Sequence, residues 1–372
     1  MRVLHIGLSS FPGGIESYVL TLCRKLFDQG VRFDYVDIYG DGLACAEELE
    51  KLEGRVFTVP PVKRRPIAAY REIKRIIRRE GYQKVHIHLL SAADPIPALA
   101  ASRAGAELFL HSHNPATVGL LRKTLDQLNK PVLRRLPAVR LACSEAAGRW
   151  MWGGRPFRVL VNTIDTERFL FSEAERTRVR QLLRAEEDEI LLGAVGRLSA
   201  QKNPRFLLEV LRTLRSKDPR YRLLLVGDGP LREQLAELAG QYGIRDAVVF
   251  AGAQRKVEAY LSAMDLYLMP SLFEGFGIAL IEAQASGLDC VVSDAVPTSA
   301  HATDGVTVHE LESGLWAEEI LRKSPAGPAR RLLRGKSMLD SPYDSKTGAK
   351  ILLELYRGGR QGEREEACEK KI

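Results

Sequence analysis

The sequence predicts an α/β fold of two doubly wound, Rossmann-like domains facing each other across a cleft. Three observations carry that expectation. Strand-like and helix-like segments alternate along most of the 372 residues. The alternation breaks at an irregular stretch, Asn162-Thr-Ile-Asp165-Thr-Glu-Arg-Phe169, and then starts again. The motifs bearing chemically useful side chains fall at or just after predicted strand ends, which is where such sheets bind ligands.

The elements follow in order. Residues 2–8 read as the first strand, and Gly13-Gly14 opens a helix to about Gln29. Residues 33–38 are a second strand. Lys63-Arg64-Arg65 leads into a helix with Arg71, Lys74, Arg75 and Arg78 on one face and Ile73, Ile76 and Ile77 opposite. Short strands at 84–88 and 108–111 end in histidines, and strands at 140–142 and 157–161 close the first half. After a charge-rich helix through Glu187, strands are expected at 190–195, 222–226, 247–250, 266–269 and 289–293. Helices near 204–215, 230–241, 256–263 and 277–286 separate them. This alternation implies right-handed crossovers and parallel sheets covered on both faces. Pro325, Gly327 and Pro328 read as a loop, and Arg330, Arg331, Arg334 and Lys336 as a solvated surface run. An amphipathic helix is expected at 347–356, with a fraying charged tail at 361–372. The predicted domains are 1–165, 166–345, and a C-terminal helix and tail at 346–372.

Composition narrows the function classes. With 45% hydrophobic and 27% charged residues, the chain matches a soluble globular enzyme with two full cores. No apolar run approaches the ~20 residues that cross a bilayer. Residues 1–7 turn polar too soon for a secretory signal. Five scattered cysteines without a CxxC pair argue against a disulfide framework or zinc cage and for a cytoplasmic setting. The net charge of +8 is concentrated in the first half, at residues 63–79 and at Arg122, Lys123, Arg134, Arg135 and Arg140. The basic face of 63–79 suits an anionic membrane surface; the alternative is a solvated helix face. Nucleic acid is disfavoured because no aromatics interleave the basic stretches.

The chemistry concentrates in Pro270-Ser-Leu-Phe-Glu274-Gly-Phe-Gly-Ile-Ala-Leu-Ile-Glu282. A glycine turn lets backbone N–H groups at a helix N-terminus approach a phosphate. Glu274 at its mouth and Glu282 two turns down can accept hydroxyl hydrogen bonds at either end of one elongated ligand. A sugar, a diphosphate and a ribose would satisfy that pattern. Arg197 and Lys202, in Gly196-Arg197-Leu-Ser-Ala-Gln-Lys202-Asn203, sit on a strand-end loop and can clamp the diphosphate. Gly227-Asp228-Gly229-Pro230 is either a structural turn or a ligand contact. So is Ser9-Ser10-Phe11-Pro12-Gly13-Gly14 in the first half, which lacks the GxGxxG spacing of a dinucleotide site. His86 and His88 share one strand face, as do His111 and His113. They are either core histidines or, for one of them, a substrate contact. A metal site is disfavoured because no acidic partners accompany them.

Gly13-Gly14, His113-Asn114, Gly196-Arg197 through Lys202-Asn203, and Glu274-Gly-Phe-Gly through Glu282, in this order, resemble the retaining, nucleotide-sugar-dependent glycosyltransferases of family 4. These have the two-domain GT-B fold. The likeness spans nearly the whole chain and is strongest to bacterial enzymes of exopolysaccharide or capsule assembly. It implies that Arg197 and Lys202 hold the donor diphosphate and that Glu282 binds the ribose. Glu274 would contact the donor sugar, helped by backbone amides of Gly275, Phe276, Gly277 and Ile278. Gly13 and Gly14 would lie by the phosphates, and His113, with His111 as second choice, would touch the sugar. It further implies a glycan or lipid-linked acceptor, uracil as donor base, no metal and no other cofactor. Asn162-Thr-Ile-Asp165 and Thr298-Ser299 depart from the family pattern, which bears on donor identity. Two rivals are a nucleotide-sugar epimerase or hydrolase on the same architecture, and a non-enzymatic nucleotide- or glycan-binding scaffold.

Overall fold

The computed structural model describes residues 1–11, 13–117 and 119–358. The chain divides into two compact units. Unit 1 takes residues 1–163 and returns at Ser345; unit 2 takes 164–344.

Unit 1 runs β1 (Arg2–Ile6), α1 (Gly14–Phe27), β2 (Arg32–Asp37), α2 (Ala46–Lys51), β3 (Val56–Thr58), α3 (Pro66–Arg79), β4 (Lys84–Leu89), α4 (Ile96–Ala104), β5 (Glu107–Ser112), α5 (Leu120–Arg135), β6 (Ala138–Ala142), α6 (Glu145–Trp152) and β7 (Arg158–Val159). Unit 2 runs α7 (Thr166–Phe169), α8 (Glu173–Leu182), β8 (Ile190–Val195), α9 (Pro204–Arg215), β9 (Tyr221–Val226), α10 (Arg232–Gln241), β10 (Val248–Gly252), α11 (Val257–Ala263), β11 (Leu266–Met269), α12 (Ile278–Ala285), β12 (Asp289–Ser293), β13 (Val306–His309), α13 (Ser313–Arg322) and α14 (Pro328–Lys336). Helix α15 (Ser345–Gly358) belongs to unit 1.

Both sheets are parallel. Their strand orders are β3-β2-β1-β4-β5-β6-β7 and β10-β9-β8-β11-β12-β13. Each order reverses once, between β1 and β4 and between β8 and β11. At such a reversal, consecutive crossovers leave in opposite directions and a crevice opens beyond the strand ends. Interior strands such as Leu-Tyr-Leu-Met of β11 are buried along their whole length because helices cover both faces.

Three findings change the expected picture. The C-terminal helix, expected as a segment of its own at 346–372, is part of unit 1. Leu352 and Tyr356 of α15 are buried, and the Tyr356 hydroxyl lies 2.7 Å from His86 Nδ1 in the core of unit 1. The basic run 330–336, expected as solvated surface, lies on a helix with Arg330 and Lys336 exposed but Arg331 and Arg334 buried. Arg331 is 2% exposed and donates to the carbonyls of Leu261, Ser262, Met264 and Ser286 at 2.9–3.0 Å. Arg334 pairs with Asp289 at 3.0 Å and Asp304 at 3.1 Å. These carbonyls lie at the ends of α11 and α12, where helix acceptors lack intrahelical donors, and a buried guanidinium supplies them. Strands β3 and β13 and helices α2 and α13 lie where no element was expected. The expected tail at 361–372 lies outside the described residues.

Candidate active site

The crevice at the β8/β11 reversal gathers the residues that the sequence singled out in unit 2. The loop after β8 carries Arg197 and Lys202, and the loop after β11 carries Glu274. Lys202 Nζ lies 2.5 Å from Glu274 Oε1. Ser271 Oγ donates to the same oxygen at 2.6 Å, and Ser293 Oγ at the end of β12 holds the Ser271 carbonyl at 2.6 Å. Glu274 is buried, so its charge depends on these partners. Backbone contacts run parallel to the ion pair: Leu272 N–H donates to the Gln201 carbonyl at 2.8 Å, and Gln201 Nε2 to the Phe273 carbonyl at 3.1 Å. A cavity of about 30 Å³, the size of one water, lies beneath, lined among others by Gly196, Arg197, Lys202, Tyr267 and Ser271.

Local chemistry explains why the sequence folds this way. Asn203 takes a left-handed conformation (φ 50°) that ends the short turn Ala200–Lys202, and Pro204 starts α9 at its first position. Gly277 also has positive φ (92°) and caps α12. No atom lies within 3.7 Å of where its Cβ would be, so backbone angle, not space, requires glycine there. Gly227 is different. Its Cβ would fall 2.0 Å from the Gly196 carbonyl oxygen, because the loop with Arg197 rests directly on it. Leu198 N–H donates to the Asp228 carbonyl at 3.0 Å, so the Gly227-Asp228-Gly229-Pro230 turn is the floor of the Arg197 loop. The structural alternative for that turn thus has a physical basis.

Glu282 sits in the second turn of α12 and keeps part of its side chain accessible. Burial pushes its carboxyl up to about 7; Arg168 and Lys202 oppose the rise and Glu258 adds to it. Arg168, which the sequence did not single out, donates to Glu258 at 2.8 Å and to the Arg255 carbonyl at 3.0 Å. It ties the segment after β10 to the neighbourhood of Glu282. Phe276 is buried and stacks on Tyr343, whose hydroxyl donates to the Ser299 carbonyl at 2.9 Å. Gly275, Phe276, Gly277 and Ile278 thus surround the start of α12, as their spacing suggested.

Unit 1 treats its candidates differently. Gly13 and Gly14 open α1, but Glu16 in the same first turn turns back, and Ser9 N–H and Oγ donate to it at 2.9 and 3.0 Å. A carboxylate of the chain itself therefore offsets the positive helix end. His113 is 3% exposed and His111 fully buried. Together with His5, His86 and His88 they form one wall of imidazoles on the sheet. His5 Nδ1 lies 3.1 Å from His88 Nε2, His88 Nδ1 3.0 Å from His113 Nε2, and His86 Nε2 3.3 Å from His111 Nδ1. Burial pushes His5 and His113 down to about 3 and lowers the other three well below the ordinary range. The wall is neutral at physiological pH. His86, His88 and His111 bring ring nitrogens within 4.8 Å of one another, the grouping among the described residues that metal-ligand chemistry would choose. Those rings already hydrogen-bond along the wall, and no carboxylate belongs to the grouping. His5 escaped the sequence reading because it sits inside an apolar strand; its register opposite His86 brings it in.

Comparison with known proteins agrees with this layout. Residues 12–168 match the profile of Glycosyltransferase Family 4, and residues 175–321 that of Glycosyl transferases group 1. The chain is 33% identical over 371 residues to EpsF of Bacillus subtilis (strain 168), named as a glycosyltransferase, covering 95% of this chain and 96% of that one. It is 26% identical to the UDP-Gal:alpha-D-GlcNAc-diphosphoundecaprenol alpha-1,3-galactosyltransferase of Escherichia coli, over 79% of each chain. HepE of Anabaena, solved in complex with UDP and glucose, superposes with a TM-score of 0.79 at 22% identity, covering 96% of this chain and all of that one. The chain belongs to the family 4 glycosyltransferases and has their GT-B fold.

The ion pair invites a direct test by urea unfolding. Lys202→Met leaves a buried carboxylate without its cation and should cost about 2 kcal/mol. The double change Lys202→Met/Glu274→Gln should cost less than the sum of the single changes, giving a coupling of about 1–2 kcal/mol. Purely additive effects would mean that the pair does not hold the two loops together.

Proposed function

We propose that this glycosyltransferase moves a hexose from a UDP-sugar to a glycan or lipid-linked acceptor, with retention of anomeric configuration and without a metal ion, in the assembly of a polysaccharide. The observation that carries the reading is the Lys202–Glu274 pair at the β8/β11 reversal, with Arg197 on the same loop and Glu282 further along α12. The UDP and UDP-glucose complexes of HepE support a uridine nucleotide donor, and the names of EpsF and the galactosyltransferase support the reaction class. The cytoplasm, with attachment to the inner membrane face, is the setting we propose; no helix among the described residues is long and apolar enough to cross a membrane.

In this reading the bond between the sugar's anomeric carbon and the diphosphate oxygen breaks as negative charge grows on that oxygen. Arg197 and Lys202 would stabilise it, in the role a divalent ion otherwise fills. An ammonium has three donors, so Lys202 can keep Glu274 and still reach a phosphate oxygen. Both side-chain hydrogen bonds to Glu274 fall on Oε1, which leaves Oε2 for a sugar hydroxyl. The acceptor oxygen attacks on the face the diphosphate leaves, its proton passing to the departing phosphate oxygen. No nucleophilic carboxylate is required. Gly13 and Gly14 would border the phosphates. His113 would reach the sugar only if a ring edge, buried in this structure, is exposed when the donor binds.

Two outcomes are expected. Lys202→Ala and Glu274→Ala should each reduce transfer, followed as acceptor-dependent UDP release, by at least about a hundredfold with the fold retained. Near-normal turnover in either variant would remove the assigned roles, and UDP release without acceptor would favour a hydrolase. Glu282 supplies a pH dependence. Ribose hydroxyls need its ionised carboxylate, and its carboxyl titrates at about 7. Affinity for the UDP-sugar should therefore fall as pH drops through that value, about tenfold from near pH 8 to near pH 6. Glu282→Gln should bind weakly with a flat profile; a wild-type profile that is itself flat would exclude Glu282 from the contact.

A further inference from the structure

The imidazole wall of unit 1 contains a directed line. His5 of β1, His88 of β4 and His113 just past β5 bond in sequence, His5 Nδ1 to His88 Nε2 at 3.1 Å and His88 Nδ1 to His113 Nε2 at 3.0 Å. Register sets its course. His5 stands opposite His86, and His88 opposite His111, so each bond steps one strand across and two residues forward. The line therefore runs diagonally toward the carboxyl ends of the strands, the edge where such sheets bind ligands. A second line, from Tyr356 through His86 to His111, lies beside it and ends next to the Leu160 carbonyl, a backbone acceptor that favours a proton on His111. The first line has no such backbone terminus. His113 Nδ1 and Asn162 Oδ1 are both buried and lack a well-formed hydrogen bond among the described residues, although the Asn162 side chain is close enough to favour a proton on the ring.

Burial keeps all three rings of the first line neutral. A neutral imidazole carries one N–H and one lone pair, so three rings joined by two hydrogen bonds have only two proton orders. In one order every ring carries its proton on Nδ1. His5 then donates to His88, His88 donates to His113, and the His113 Nδ1–H faces the Asn162 oxygen. In the other order every ring carries it on Nε2, and both ends of the line suffer. His5 Nε2 is buried without a partner, against the Phe33 ring at 4.0 Å between centroids, and would hold an N–H with no acceptor. The first order leaves only a lone pair there, and buried orphan donors are the rarer defect. At the far end His113 would set a lone pair against the Asn162 oxygen. The Nδ1 order is therefore the one this line of rings adopts.

We propose that His88, held by His5, is a positioning residue for sugar transfer: it fixes the proton of His113 on Nδ1, so that this ring meets the donor sugar as a hydrogen-bond donor to a hydroxyl, with the Asn162 side chain facing Nδ1 until the sugar arrives. Which nitrogen of a histidine is protonated is set by the bond that the other nitrogen makes. A partner that fixes the tautomer can govern turnover without touching substrate. Without His88, His113 Nε2 is free to take the proton, and the Nδ1 edge then offers a lone pair where a donor is needed. The inference rests on the contact between His113 and the sugar proposed above; the order of protons along the line does not.

Long-range proton–nitrogen correlation spectra of the whole protein, isotope-labelled in its histidines, test it. The His113 signal is identified by its absence in His113→Ala. At neutral pH without ligand, wild-type His88 and His113 should both carry their proton on Nδ1. His88→Phe should move the His113 proton to Nε2 and lower acceptor-dependent transfer about tenfold or more, with the affinity for UDP, which lacks the sugar, unchanged. His88→Asn sets an amide donor near the lost Nδ1–H; it should keep His113 on Nδ1 and restore most of the transfer. Wild-type His113 protonated on Nε2 would overturn the proposal, and that spectrum decides even where His88→Phe does not fold. So would a folded His88→Phe that transfers normally. Equal loss in both His88 variants with the His113 tautomer unmoved would mean packing alone, and would overturn it too. Full transfer by His113→Ala would overturn the sugar contact, and the positioning role with it, while leaving the wild-type tautomers as found.

Discussion

The reversal of strand order between β8 and β11 forces two loops to part, and something must hold their tips together across the opening. Here it is the ammonium of Lys202 against the carboxylate of Glu274, backed by Ser271 and by two hydrogen bonds from Gln201 and Leu272. A surface ion pair contributes little. This one is half-buried on the lysine side and buried on the glutamate side, so removing one partner leaves a charge with nowhere to go. Position, more than strength, is what matters: the contact sets two potential ligand-binding charges side by side before any ligand arrives.

The rest of unit 2 is arranged around keeping those tips in place. Gly227 and Gly229 lie so close to the Arg197 loop that any side chain would push it away. Arg331 ties the end of α12 to α11 through carbonyls that no backbone donor reaches, and Gln284, buried in α12, holds the Ala300 carbonyl and the amides of Ala302 and Thr303. The helix that carries Glu282 is thus fixed from both sides. Its raised carboxyl pKa is the consequence of burial, which outweighs the opposing charges of Arg168 and Lys202, and it makes the site sensitive to pH near neutrality.

Much of this was legible in the sequence because two periodicities and a few glycines encode it. Strands β8, β11 and β12 fall on the expected residues, since continuous apolar runs bounded by glycine, proline or aspartate leave little choice. Edge strands β3 and β13 did not announce themselves: three or four residues half-covered by neighbours carry no period. Arg331 and Arg334 were misread for a different reason. A run of arginines reads as surface because burying a guanidinium costs so much, and nothing local in the chain reveals that helix ends hundreds of atoms away supply its acceptors. The same limit hid Arg168, and it hid Tyr356, whose contact with His86 joins residues 270 positions apart. The glutamates were found because their glycine turn is local. That Glu274 already holds Lys202 is a long-range fact, and only the fold reveals it.

The most direct test of the account is calorimetric titration of a UDP-sugar panel into the purified protein, with no metal added and a chelator present. The account predicts selective, saturable binding of one donor, lost on Arg197→Ala and weakened on Lys202→Ala. Binding that appears only with a divalent ion, or that survives both substitutions unchanged, would contradict the assignment of the diphosphate to the β8/β11 crevice.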